Sequence, residues 1–141
     1  MANFKLWEKI SNTGLSDEEI QSIIDACRII HGNKMSIGTA CGLRAGFRAL
    51  GETGVARGEH AFNKIIVRSN PCAALAFGVV TGLNPLKKSF TFECYMKPDW
   101  ESECTVGDKT VYIKMRVASF ETPEDALNAS DEEIFDIVEV R

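Results

Sequence analysis

The spacing of the apolar side chains changes at Ser89, from a helical period before it to alternation after it. Before this point apolar residues recur three or four positions apart, as at Ile20, Ile23, Ile24, Cys27 and Ile30. Beyond it they alternate with polar residues, as at Val111, Ile113, Met115 and Val117. Because these are the periods of helix and strand, the sequence predicts an α+β fold. We expect a layer of about four helices over residues 1–88 and an antiparallel β-meander over 89–141, in one domain spanning 1–141.

A capping box at Ser16 and Glu19 marks one helix start, predicting a helix over residues 17–31 that Gly32 ends. The five-residue sequence at 16–20 recurs at residues 130–134, but β-branched residues follow the second copy. There we favour a turn and a final edge strand over a terminal helix. Thr122 and Pro123 predict a short helix to about residue 128, and apolar residues at 4–10 predict a short amphipathic turn or helix.

Two segments carry small residues at every fourth position, which on a helix form a narrow stripe. The first stripe is Gly38, Gly42 and Gly46, and the second is Ala74, Gly78 and Gly82. Three interior glycines cost a helix about 3 kcal/mol relative to alanine, so close packing must offset this cost. We therefore expect two helices, over residues 36–50 and 71–83, to pack stripe against stripe. Between these two helices, the sequence predicts a loop over residues 51–58 and a short helix or strand over residues 61–67.

The spaced glycines of these segments resemble those in the first two helices of the mitochondrial inner-membrane translocase channel family. The resemblance covers about 50 residues, rests on small residues alone and ends before the charged C-terminal third. The longest uncharged run, residues 69–86, keeps about 12 apolar residues between polar ends, whereas a membrane-spanning helix needs about 20. Arg44 and Arg48 add a further cost in lipid. A membrane-associated accessory subunit with a glycine-striped helix pair is therefore an alternative that we do not favour.

The sequence also predicts the register of one hairpin. Gly107 and Asp108 are a two-residue turn signal. The pairs this turn implies are Cys104 with Val111, Ser102 with Ile113, Trp100 with Met115, Glu101 with Lys114 and Asp99 with Arg116. Apolar residues then share one face and opposite charges meet on the other, so both faces support one register. An earlier strand over residues 90–96 alternates similarly and is expected to be half-buried.

The formal net charge of −4 conceals two blocks of opposite sign. Residues 34–88 carry eight Lys or Arg against two Glu, whereas residues 89–141 carry thirteen acids against five bases. Such blocks can steer a partner, including a second copy of the chain, or can neutralise each other within the fold. For the first alternative, the candidate interaction residues are Arg44, Arg48, Arg57, Lys64 and Arg68. Nucleic-acid binding is disfavoured, because the chain is acidic overall and few aromatic residues accompany these cations.

Five cysteines and two histidines are the candidates for metal or thiol chemistry. The cysteines lie far apart without a CxxC pair, so we expect no metal site and no cofactor. Cys41 with His31 or His60 could form a thiolate pair, but buried structural cysteines are far commoner, and we expect no catalytic residue. The odd cysteine count and the lack of a signal peptide at the N-terminus predict an intracellular, cytoplasmic-type reducing compartment.

These features suit a non-enzymatic structural or assembly subunit of a larger complex, cellular or viral, better than a catalyst. We expect protein partners, including self-association into a homo-oligomer, through a sheet edge and the charged faces. The alternative is a small ligand-binding or enzymatic domain with its pocket between the helices and the sheet.

Overall fold

The structure of this protein is a computed structural model that describes residues 13–30, 32–55, 57–58, 62–82, 89–95 and 100–141. The described residues form five α-helices and five strands. In chain order these are α1 (Asp17–Ile30), α2 (Ile37–Thr53), β1 (Lys64–Ser69), α3 (Pro71–Thr81), β2 (Phe90–Cys94), β3 (Glu101–Val106), β4 (Lys109–Met115), α4 (Pro123–Asn128), α5 (Asp131–Ile134) and β5 (Phe135–Val140). The predicted turn or helix at residues 4–10 and the predicted pairing residue Asp99 lie outside the described residues.

The strands in the described ranges form one mixed sheet in the order β2-β1-β3-β4-β5. β1 and β2 are parallel, with α3 as the crossover that parallel strands need, and the other neighbours are antiparallel. The α+β class is therefore confirmed. The expectation of a purely antiparallel meander confined to residues 89–141 was wrong, because β1 lies between β2 and β3. Ile65, Val67 and Ser69 of β1 are buried, so this strand contributes to the core through long-range pairing that its own short sequence does not reveal.

The hairpin of β3 and β4 has the predicted register. The pairs are Glu101 with Lys114, Ser102 with Ile113, and Cys104 with Val111, and the Met115 amide donates to the Trp100 carbonyl oxygen at 2.9 Å. Gly107 lies in the turn with a φ of +61°, which glycine adopts at low cost. The apolar members of these pairs are buried. The side-chain pattern and the turn residues together were thus sufficient to define this register.

The repeated sequence Ser-Asp-Glu-Glu-Ile begins two helices of different length. Ser16 and Glu19 form the reciprocal bonds of a capping box, and so do Ser130 and Glu133. α1 then continues for 14 residues, whereas α5 ends after four and the chain enters β5. Because β5 pairs with β4, the β-branched residues after α5 satisfy their backbone groups in the sheet. The predicted final edge strand is confirmed.

The glycine stripe of α2 lies against α3. A Cβ atom added at Gly42 would lie 2.3 Å from the Ala73 carbonyl oxygen, and one added at Gly46 would lie 2.7 Å from the Val80 Cβ. The α3 atoms nearest to Gly42 and Gly46 therefore belong to Ala73 and Val80. They do not belong to the expected stripe of Ala74, Gly78 and Gly82. Gly82 instead ends α3 with a left-handed φ of +77°. Since α3 is apolar around its whole circumference, its sequence does not show which face meets α2.

The two glycine-bearing helices are short compared with a lipid bilayer. α2 has 17 residues and α3 has 11, whereas a spanning helix needs about 20. Every helix formed by the described residues is too short or too polar to cross a membrane.

Candidate functional site: an open sheet edge

Arg44 of α2 is buried in the core, where its side chain is 1% exposed. One guanidinium nitrogen, Nη1, donates to carbonyl oxygens at the end of α4, those of Ala126 (3.0 Å), Leu127 (3.0 Å) and Ala129 (2.7 Å). Nη2 donates to Asp131 at 3.0 Å. Burial lowers the pKa of Arg44, and the charge of Asp131 partly offsets this effect. The expectation that Arg44 projects toward a partner was wrong, because partially negative carbonyl oxygens at a helix end bind it inside the chain.

Arg48 lies one turn further along α2 and shares Asp131 with Arg44. It is partly exposed and also pairs with Glu52 at 2.7 Å. The guanidinium carbons of the two arginines lie 6.0 and 5.7 Å from the centre of the Phe135 ring, a range in which cation–π attraction acts. One carboxylate of the acidic block therefore binds two cations of the basic block.

Arg68 of β1 forms an ion-pair cluster across three neighbouring strands. It bonds Glu93 of β2 at 3.1 Å, and Glu101 and Glu103 of β3 at 3.4 and 2.9 Å. The hydrogen bond to Glu103 raises the pKa of Arg68, with burial opposing it. This cluster again joins a cation of the basic block to acids of the acidic block.

Arg57 and Lys64 complete the set of expected interaction cations. Arg57 donates to the carbonyl oxygens of Val79 and Val80, in the last turn of α3, at 2.7 and 2.9 Å. Lys64 is exposed at the start of β1. Four of the five cations are thus bound by groups of the same chain. Three of them, Arg44, Arg48 and Arg68, join the basic block to the acidic block inside the fold.

The described residues leave the sheet two edge strands, β2 and β5, and these differ in their protection. β5 carries two charged residues that form ion pairs, Asp136 with Arg116 and Glu139 with Arg141. The pairing of β4 with β5 also contains a register shift. Charges and bulges on an edge hinder the addition of another strand. β5 is therefore a protected edge.

β2 is less protected than β5, because it carries one charged residue instead of two and its pairing with β1 contains no register shift. Only its first residue, Phe90, is buried. Phe92 is 41% exposed, and Tyr95, directly after the strand, is 36% exposed. The one charged residue of β2 is Glu93, which pairs with Arg68. The strand expected over residues 90–96 is present over Phe90–Cys94, but the expectation that it is half-buried was wrong. Alternation shows which residues share a face of a strand, but not whether another element covers that face.

Hydrogen bonds to β1 show which backbone groups of β2 point away from the sheet. The Ile65 amide donates to the Ser89 carbonyl oxygen at 2.7 Å, and the Tyr95 amide donates to that of Ser69 at 2.8 Å. In a parallel pair, alternate residues of a strand bond the same neighbour, so residues 89, 91, 93 and 95 face β1. We define the open β2 edge as the backbone groups of Phe90 and Phe92, which lie on the other side. The exposure of this edge was not predicted, although residues 90–94 contain neither Lys nor Pro, two residues that commonly protect an edge strand.

A small cavity lies between the helices and the sheet. It is lined by residues that include Gly42, Phe77, Trp100 and Ser102, and its volume is about 10 Å³. The buried Trp100 Nε1 and Ser102 Oγ have no hydrogen-bond partner among the described residues. One water molecule needs about this volume, so the cavity does not admit an organic ligand.

Two larger surface clefts, of about 390 and 450 Å³, adjoin each other at Glu19 and Arg57. Each of these charged side chains forms hydrogen bonds with backbone groups. Glu19 accepts from the Ser16 amide in the capping box, and Arg57 donates to the end of α3. The charges at the junction of the clefts thus stabilise helix ends.

The described cysteines include three that are buried and inert as nucleophiles. Burial raises the pKa of the Cys27 and Cys41 thiols to about 12, with Arg57 and Arg44 respectively opposing the shift, and it also raises the pKa of Cys104. No group of three or more His, Cys, Asp or Glu in the described ranges could hold a metal ion. Both histidines lie outside those ranges.

Iodoacetamide at pH 8 is expected to label the exposed Cys94 in the folded chain but not Cys27, Cys41 or Cys104. Only a thiolate reacts, and a thiol with a pKa of about 12 is ionised at pH 8 to about one part in ten thousand. Peptide mass spectrometry would locate the labels, with the urea-denatured chain as the control in which all are modified. Rapid labelling of Cys41 in the folded chain would contradict the burial described here.

Comparisons of this chain with protein-family models, with curated proteins and with solved structures found no match.

Proposed function

We propose that this chain is a non-enzymatic assembly subunit whose protein partner adds a strand to the open β2 edge. The observation that supports the proposal is the exposure of Phe92 at the middle of an edge strand, where the backbone groups of Phe90 and Phe92 face away from the sheet. An added strand would bond these amides and carbonyls and would bury the phenylalanine. In this binding mode main-chain hydrogen bonds supply affinity and alternate side chains supply specificity.

The charge distribution favours this edge over the charged faces as the binding surface. Arg44, Arg48, Arg57 and Arg68 are already bound within the chain, so they offer a partner little unpaired charge. On β2, the charge of Glu93 is offset by Arg68. An apolar or neutral strand can therefore approach β2 without desolvating an isolated charge.

Phe92→Pro is expected to abolish association while leaving the fold intact. Proline has no amide hydrogen, and the Phe92 amide faces the open side, so the substitution removes no bond to β1. The measurement is the native mass of the chain in an extract of its own cells, by gel filtration and antibody detection. The wild type should elute well above the 15.6 kDa monomer, and the variant should elute at the monomer mass.

The matched control is Val140→Pro on the protected edge. The Arg141 backbone bonds that of Thr110 in both directions, so the Val140 amide faces away from β4, and Val140 is 49% exposed. Like Phe92→Pro, Val140→Pro removes an outward amide hydrogen and an exposed apolar side chain. It should nevertheless elute at the same native mass as the wild type. Circular dichroism would show that both variants are folded. The proposal fails if the wild type elutes as a monomer, or if both folded variants behave alike.

A further inference from the structure

We infer that the small cavity between the helices and the sheet binds one water molecule, which bridges Trp100 Nε1 and Ser102 Oγ. The cavity lies where α2, α3 and β3 meet, since its lining includes Gly42, Phe77 and Ser102. It is separate from the open β2 edge and requires no partner chain. The inference therefore goes beyond the proposed function and does not depend on it.

Two buried polar atoms beside this cavity need a hydrogen-bond partner. Trp100 is 7% exposed and Ser102 is 4% exposed. Because they are two positions apart along an extended chain, their side chains lie on the same face, and both line the cavity. Neither Trp100 Nε1 nor Ser102 Oγ bonds another group within the described part of the chain. Buried polar groups in proteins are nearly always paired, either with protein or with ordered water.

The size of the cavity and a third polar group in its lining both suit one water molecule. The volume of about 10 Å³ is close to that of a single water probe. Ser69, which is 2% exposed, also lines the cavity, and its hydroxyl donates to the Asn70 carbonyl oxygen at 2.8 Å. The Ser69 oxygen can still accept a bond. A water that accepts from Trp100 and donates to Ser69 and Ser102 forms three hydrogen bonds, the usual number for a buried water.

The packing of α2 on α3 explains why no side chain fills this space. Gly42 lines the cavity, and a Cβ atom added there would lie 2.3 Å from the carbonyl oxygen of Ala73, so the backbones themselves are in contact. No side chain can extend from α2 at this position. The bound water therefore adds a polar link between β3 and Ser69, the residue at which β1 ends just before α3.

A crystal structure of the wild-type chain at about 1.5 Å resolution tests the inference directly, because ordered waters are visible there although hydrogens are not. We expect one isolated density peak within about 2.7–3.2 Å of both Trp100 Nε1 and Ser102 Oγ. In solution, the indole proton of Trp100 should give cross peaks to water of opposite sign in laboratory-frame and rotating-frame Overhauser spectra. A long-lived bound water gives opposite signs, whereas proton exchange gives the same sign in both. The Trp100→Phe spectrum, which lacks this indole, assigns the signal.

Ser102→Val replaces the hydroxyl with a methyl group of similar size and adds a second methyl group at a strand position that favours β-branching. It should remove the density peak and weaken the indole–water cross peak at least about tenfold, since the water loses a partner and its space. The matched control is Thr105→Val, which makes the same hydroxyl-to-methyl change on the other face of β3. This variant should keep both signals.

A wild-type cavity without density and without the cross peak would overturn the inference, and so would a protein group bonded to Trp100 Nε1 in place of water. An undiminished cross peak in a folded Ser102→Val chain would show that Ser102 does not hold the water, and the bridge would be wrong. Circular dichroism establishes whether that variant is folded. If it is not, the density and the cross peaks of the wild type decide the question alone.

Discussion

Arg44→Met is expected to lower the free energy of unfolding by about 3–5 kcal/mol, the cost of removing one partner from a buried ionic network. Methionine fills a similar volume, so the loss is mainly polar. The carbonyl oxygens of Ala126, Leu127 and Ala129 lose their shared donor in a site where Arg44 itself is 1% exposed. A buried acceptor without a donor is costly because it has also lost water.

Arg48→Met is the matched control, because Arg48 binds the same Asp131 from a partly exposed position. It should cost about 1 kcal/mol or less, as exposed ion pairs do. Arg44→Lys should remain strongly destabilising, since a compact ammonium does not reproduce the planar fork of arginine. Urea unfolding followed by circular dichroism would measure all three. Equal small losses for Arg44→Met and Arg48→Met would contradict the structural role assigned to Arg44.

Gly42→Leu is expected to destabilise the fold by more than about 3 kcal/mol, the upper end of ordinary overpacking. A Cβ atom at Gly42 would lie 2.3 Å from the carbonyl oxygen of Ala73 and 2.8 Å from its Cα. Both contacts are with the backbone of α3, which no side-chain rotation relieves. The two helices would have to move apart and expose part of the core between them.

Gly58→Leu is the control for this variant, because a Cβ atom there would meet nothing within 4 Å. Its effect on the thermal or urea unfolding midpoint should be small, so the difference between the variants isolates the close helix contact. Gly46→Leu should fall between them, since its nearest neighbour is the side chain of Val80 rather than backbone. A Gly42→Leu chain as stable as the Gly58→Leu chain would disprove the close packing of α2 on α3.

The features that could be predicted from sequence are those whose causes lie close together in the chain. The capping bonds of Ser16 and Ser130 join residues three apart, and the turn at Gly107 fixes the register of two strands that it connects directly. The positive φ of Gly32, at the end of α1, likewise depends on residues close to it in the chain. In each case the side chain or the backbone conformation acts within a few residues.

The candidate site was predictable only in part. An interaction through a sheet edge was expected, but the exposure of β2 was not, since alternating residues look the same on a covered and an uncovered face. Four of the five cations expected to bind a partner also bind groups of their own chain. Charge counts identified two blocks of opposite sign. The ion pairs of Arg68 with its three glutamates, and of Arg44 and Arg48 with Asp131, show that the blocks meet inside one chain.

The sequence by itself determined the helix starts, the β3–β4 register and the α+β class, because local hydrogen bonds and side-chain periodicity decide them. Tertiary structure alone decided that β1 enters the sheet between β2 and β3, that Ala73 rather than Gly78 lies nearest to Gly42, and that Arg44 is buried. These depend on groups far apart in the chain, such as Arg44 and the Ala126 carbonyl, 82 residues away. Burial there makes an unpaired charge or carbonyl far costlier than in water, so the partners that the fold supplies, and not the residue type, determine what Arg44 does.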